Sequence, residues 1–151
     1  MDASLLAVAP FLALFGAVVN GLFGRSLREP LPGIIASGTV LVGFFFAVVA
    51  FFGVSGDTPQ VHLLQFLQAG EFSLDLGFVI DRLSVVMALI ITGVGFLIHL
   101  FSMAYMANDN GYSRYFSYLN LFIAAMLILV LGDSYVLMFV GWEGVGVASF
   151  L

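Results

Sequence analysis

The sequence contains no cysteine and no lysine, and only 9% of its 151 residues are charged. Without cysteine there are no disulfides, no cysteine-ligated iron–sulfur clusters and no thiolate zinc sites. The four arginines, at positions 25, 28, 82 and 114, are too dispersed to form the basic patch that holds nucleic acid. An ordinary soluble domain is roughly a quarter charged, so too little polar material is present to coat a soluble globule. Disorder is excluded as well, because it requires low hydrophobicity and high charge. What the chain has in excess is apolar: 62% hydrophobic residues and 17 phenylalanines, with a mean hydropathy of +1.17. Such a composition belongs to a protein embedded in a lipid bilayer.

A crossing takes about 20 mainly apolar residues. Runs of that kind cover residues 4–23, 33–54, 83–106 and 115–131, and a fifth covers 134–151. The expected architecture is all-α: a polytopic transmembrane bundle of about five helices, forming part of one domain over 1–151. The first run resembles a signal peptide in length, but its charges, Arg25 and Arg28, follow the apolar stretch instead of preceding it. It therefore reads as a retained helix. The fifth run meets no basic flank, glycine cap or proline after Phe150, which leads us to expect a piece of a longer protein.

Basic residues in short loops set orientation. Arg25 and Arg28 lie between helices 1 and 2, and Arg114 between helices 3 and 4. Strict alternation places both loops on the cytoplasmic side and the N-terminus outside. The segment 56–82 then lies on the outer face. In it Phe72, Leu74, Leu76 and Phe78 alternate with Ser73, Asp75 and Gly77, the period of a half-buried strand. Val61 to Leu67 is apolar and can pair with it across residues 68–71. A short β-hairpin is expected, with the four apolar residues on one buried face; an amphipathic helix over Val61–Leu67 is the alternative.

Two ionisable residues stand inside spans. Glu143 lies nine residues beyond Ser134. At about 1.5 Å per residue that is roughly 13 Å into a core about 30 Å thick. An ionised acid at that depth costs a few kcal/mol on insertion scales, and by default marks a proton or ion pathway. Gly141, Gly144 and Gly146 surround it, suggesting a packed interior position with room for water, although plain helix packing explains them equally. Trp142 is expected to face protein. His99, in the cytoplasmic half of helix 3, is a candidate relay because imidazole titrates near neutrality; a satisfied interhelical hydrogen bond is the plainer reading. Asn20 and Asn120 read as interhelical hydrogen-bonders. Asp81, Arg82, Arg114 and Asp133 sit at span ends and read as solvated charges. His62 has no ligand-spaced companion, so no metal site is expected.

Several stretches resemble a known family. They are Asp81-Arg82-Leu83-Ser84 at the start of helix 3, Leu97 to Met106 (LIHLFSMAYM), Arg114 to Phe122 (RYFSYLNLF) and Gly141 to Gly146 (GWEGVG). Together they resemble the largest antiporter-like subunit of proton-pumping NADH–quinone oxidoreductase, respiratory complex I, called L in bacteria and chain 5 in mitochondria. The resemblance spans nearly the whole chain, which would be about the first quarter of such a subunit. It implies a larger bundle of about fourteen or more helices with two inverted repeats, each holding a half-channel. It also implies that Glu143 is the acid of an intramembrane Glu–Lys pair whose lysine lies on a later helix. Proton translocation coupled to NADH–quinone electron transfer would be the function of the whole. NADH, flavin, iron–sulfur clusters and quinone would belong to other subunits, and the partners would be other membrane subunits in a bacterial cytoplasmic membrane. Multi-subunit cation/proton antiporters are the runner-up, and a non-pumping membrane scaffold is a third reading. Ser149-Phe150-Leu151 departs mildly from the family's Ser-Tyr-Leu-Leu ending.

Overall fold

The computed structural model describes residues 3–24, 26–54, 60–69 and 72–151. A 3-10 stretch, Ala3–Val8, leads into α1 (Ala9–Phe23). There follow α2 (Leu31–Gly53), strands β1 (Gln60–Ala69) and β2 (Phe72–Val79), then α3 (Arg82–Tyr105), α4 (Tyr112–Leu131) and α5 (Tyr135–Phe150). Among the described residues, four helical segments are long and apolar enough to cross a bilayer: Ala3–Phe23, Leu31–Gly53, Arg82–Tyr105 and Tyr112–Leu131. The five-helix bundle with a two-stranded insert is the expected architecture, and the hairpin takes the place of the alternative helix over Val61–Leu67. α2 starts two residues earlier than expected because Pro32 falls in the first turn, where a missing N–H costs nothing. α4 starts at Tyr112, three residues ahead of the apolar run, so Arg114 is carried on the helix itself.

On α1 to α3 mostly small residues face inward and large ones outward, while α4 buries larger side chains such as Phe116, Leu127 and Leu131. The buried faces are Ala9, Ala13, Gly16 and Ala17 on α1, Ala36, Val40, Gly43 and Ala47 on α2, and Ala88 and Gly95 on α3. Phe15, Phe45, Leu97 and Phe101 point outward. Between helices in lipid there is no aqueous hydrophobic drive, so close van der Waals approach over small residues holds the bundle. α4 is the central element and packs against α1, α2, α3 and α5.

Two acids read as solvated charges prove to be structural. Asp81 is the N-cap of α3: its carboxylate accepts from the Ser84 N–H at 2.6 Å, while the Asp81 N–H donates to Ser84 Oγ at 2.9 Å. Caps of this kind contribute about 0.5–2 kcal/mol. Asp133, in the turn before α5, accepts from the Gly77 N–H at 2.9 Å, and its own N–H donates to the Gly77 carbonyl at 3.0 Å. Arg82 and Arg114 are exposed, as expected.

The hairpin is antiparallel, with Val61 opposite Phe78 and Gln65 opposite Asp75. It carries register shifts between His62 and Leu64 and between Gln65 and Leu67. Phe78 is buried, its ring 6.2 Å from that of Phe11, and Leu76 is half-buried while Asp75 is exposed. The side chains of Phe72 and Leu74 lie outside the described residues. The far edge of β2 is closed by a bridge between Phe78 and Gly132, which blunts an edge open to foreign strands. At the opposite end of the bundle the loops after α1 and α3 meet. The Glu29 carboxylate accepts from the Asn108 N–H at 3.0 Å. Asn108 adopts a φ of 68°, a left-handed conformation that asparagine tolerates.

A Cβ on Gly77 would stand 2.5 Å from Asp133 Oδ2 and 2.8 Å from the Val61 carbonyl. Gly77→Ala is therefore expected to separate β2 from the α4–α5 turn and to cost about 1–3 kcal/mol, the usual range for overpacking. Thermal unfolding in lipid should show a lowered midpoint for Gly77→Ala and little change for Gly38→Ala, where no atom lies within 4 Å.

Candidate functional site

Glu143 sits midway along α5, and the seating of that helix fixes where it points. A Cβ on Gly141 would lie 2.6 Å from Leu129 N and 2.7 Å from Leu129 Cα. One on Gly144 would lie 3.0 Å from Ala125 Cβ. Gly141, Gly144 and the buried Ala148 thus form the stripe along which α5 touches α4. A Cβ on Gly146 would meet no atom of another element within 4 Å, and Trp142 is 66% exposed. Glu143 is exposed too, on the face turned away from α4. The expected packed position of Glu143 and the expected protein contact of Trp142 are not met within this chain: both side chains are exposed, turned away from the stripe of Gly141 and Gly144 that meets α4.

His99 lies elsewhere and is wholly buried. Its Nδ1 is 2.7 Å from the Gly95 carbonyl, and its Nε2 is 2.8 Å from Asn120 Oδ1 on α4. The Asn120 amide donates to Thr39 Oγ1 of α2 at 3.1 Å, and that hydroxyl donates to the Ala36 carbonyl at 2.8 Å. A Cβ on Gly16 of α1 would collide with both Asn120 and Thr39, so glycine there lets α1 close over the pair. Four helices meet at this chain of hydrogen bonds. Asn20 is an interhelical bonder as expected, donating to the Pro32 carbonyl at 3.0 Å.

The two candidates are not brought together: His99 is enclosed by α1 to α4, and Glu143 faces outward from α5. Sequence reading missed Thr39 and Gly16. The signal that could have raised Thr39 is a hydroxyl in a charge-free span, and nothing marked Gly16 among the other glycines. His62 is exposed on β1. Among the described residues, no three His, Asp or Glu side chains gather as metal ligands.

These features define a class: an integral membrane protein built as a helical bundle, with ionisable residues within two different apolar helices. Residues 66–116 match the family described as NADH-Ubiquinone oxidoreductase (complex I), chain 5 N-terminus. The chain is 40% identical to NADH-quinone oxidoreductase subunit L of Escherichia coli (strain K12) and 44% identical to that of Pseudomonas aeruginosa. Each match covers 98% of this chain and 25% of the relative. It is 39% identical over 93% of its length to NADH-ubiquinone oxidoreductase chain 5 of Cryptococcus neoformans, covering 22% of that protein. Among solved structures, a chain of the Mrp complex from Dietzia sp. DQ12-45-1b superposes with a TM-score of 0.74 at 25% identity, over 96% of this chain and 15% of that one. Over nearly its whole length the chain is therefore similar to proteins named subunit L or chain 5 of NADH–quinone oxidoreductase. It spans about a quarter of the length of the curated relatives it matches.

Proposed function

We propose that the full protein is a membrane-arm subunit of an NADH–quinone oxidoreductase and that it translocates protons across a bacterial cytoplasmic membrane as electrons pass from NADH to quinone. The observation that carries this reading is the carboxylate of Glu143, presented outward midway along an apolar helix that is seated on α4 by glycines. An acid in that position needs a partner or an internal water path, and a lysine on a later helix of the full protein would supply the partner. Proton relay is the role proposed for Glu143. Electron carriers would lie on other subunits, and neighbouring membrane subunits would cover the open face of α5. The end of the bundle bearing Arg28 and Arg114 would face the cytoplasm, and the hairpin the outside. This chain by itself would neither carry electrons nor transport ions, because the pair is incomplete without the later helix.

The superposition on a chain of the Mrp complex favours a second reading, a subunit of a multi-subunit cation/proton antiporter. Membrane vesicles from cells lacking the full protein separate the two. The first reading predicts loss of proton uptake driven by NADH oxidation. Intact NADH-driven uptake together with loss of sodium–proton exchange would replace it by the second.

A further inference from the structure

The hydrogen bonds around His99 can be completed in two ways that differ by one proton. The Gly95 carbonyl only accepts, so Nδ1 beside it carries a hydrogen. As placed, the Asn120 amide nitrogen donates to Thr39 and its oxygen faces Nε2, so Nε2 must also donate and the ring holds both protons. In a neutral ring Nε2 is a bare acceptor. It would then face the Asn120 oxygen, unless the amide turns over. After that turn the amide nitrogen donates to Nε2, and the Asn120 oxygen accepts from Thr39 Oγ1, whose hydroxyl swings away from the Ala36 carbonyl. The ring, the amide and the hydroxyl then stay joined through the same pairs of groups, with the direction of each hydrogen bond reversed.

We propose that His99, Asn120 and Thr39 form a single-proton binding site in which the orientation of the Asn120 amide matches the charge of the imidazole ring. On uptake, the Nε2 lone pair takes the proton, the new N–H donates to Asn120 Oδ1, and the ring gains one positive charge. Release reverses each step. The surroundings suit both forms. α1 and α2 bring no titratable side chain to the site. α4 brings Tyr112 and Tyr115, with Tyr118 and the exposed Arg114 farther round the helix, and α3 itself carries only Arg82 and Tyr105, at its two ends. Among the described residues no carboxylate bonds the ring, and the Phe116 ring, with its centroid 6.0 Å away, is near enough to favour a cation.

Polar groups continue from this site toward the Arg114 end. One turn along α3, Ser102 Oγ is 3.0 Å from Tyr115 Oη. Farther on, Asn20 Oδ1 and Tyr112 Oη are buried with no hydrogen-bond partner among the described residues, which leaves both with hydrogen-bonding capacity for an entering proton carrier. Glu143 takes no part, and the site stands or falls independently of the relay role proposed for it.

The test is 15N solid-state NMR of the chain labelled at histidine and asparagine side chains, in phospholipid vesicles, about two pH units either side of the unperturbed imidazole value near 6.5; the signals lost in Asn120→Asp assign the Asn120 amide. The chain has two histidines, and a His62→Gln variant assigns their signals. The expected result is that His99 converts from one pyridine-type and one pyrrole-type nitrogen to two pyrrole-type nitrogens on acidification, and that the Asn120 side-chain amide signals shift in the same step. In Asn120→Asp the ring should keep both protons throughout, because a carboxylate only accepts. If that variant fails to insert, the wild-type titration decides alone. A His99 ring fixed in one form across the range, or one that changes while the Asn120 signals stay still, overturns the proposal.

Discussion

Replacing Gly141 by valine is expected to unseat α5 from α4. Even a single Cβ at this position would stand 2.6 to 3.0 Å from Leu129 N, Leu129 Cα and the Ala125 carbonyl. These are backbone atoms of α4, and unlike the end of a side chain they cannot swing aside. The two helices must separate, which opens gaps along the stripe through Gly144 and Ala148. Overpacking in a rigid setting costs about 1–3 kcal/mol and sometimes more, and the lost dispersion contacts add to it, since close packing is what holds membrane helices together. Gly146→Val is the matched control, with the same residue types on the same helix but no atom within 4 Å of the added carbon. Thermal unfolding in lipid should show a much lower midpoint for Gly141→Val than for Gly146→Val. Equal midpoints would mean that α5 is not seated on α4 in this way.

The helices were readable because uninterrupted apolar runs of about 20 residues have few other uses. Their ends were less so. Pro32 looks like a turn residue yet sits inside the first turn of α2, and Tyr112 to Arg114 extend α4 past its apolar stretch. The hairpin followed from alternation around Asp75, whereas the register shifts in β1 depend on how the strand meets its neighbours and left no mark in its composition. Glu143 stood out as an acid in an apolar helix. Its direction did not, because glycines lie on both sides of it in sequence and only packing reveals that Gly141 and Gly144 seat the helix while Gly146 is free. The partners of His99 were hidden for another reason. Asn120 is 21 residues away, and Thr39 is a further 81 residues back from Asn120, so no local spacing joins them.

The larger functional effect is expected at Glu143. Gln preserves the shape and much of the hydrogen bonding of the side chain but cannot take up or release a proton. If the proton passes through this carboxylate, Glu143→Gln in the full protein should lower the rate of proton translocation on the order of tenfold or more, as loss of a proton-transfer group usually does. Assembly should be spared, since the side chain faces away from α4 and takes no part in the glycine stripe. Glu143→Asp should be milder, because the carboxylate survives one methylene shorter. The most direct measurement is the number of protons translocated per NADH oxidised in sealed vesicles containing the assembled complex, compared for the wild type and Glu143→Gln. The relay predicts a fall in that ratio with the complex still assembled. A wild-type ratio at wild-type rate in Glu143→Gln would contradict it.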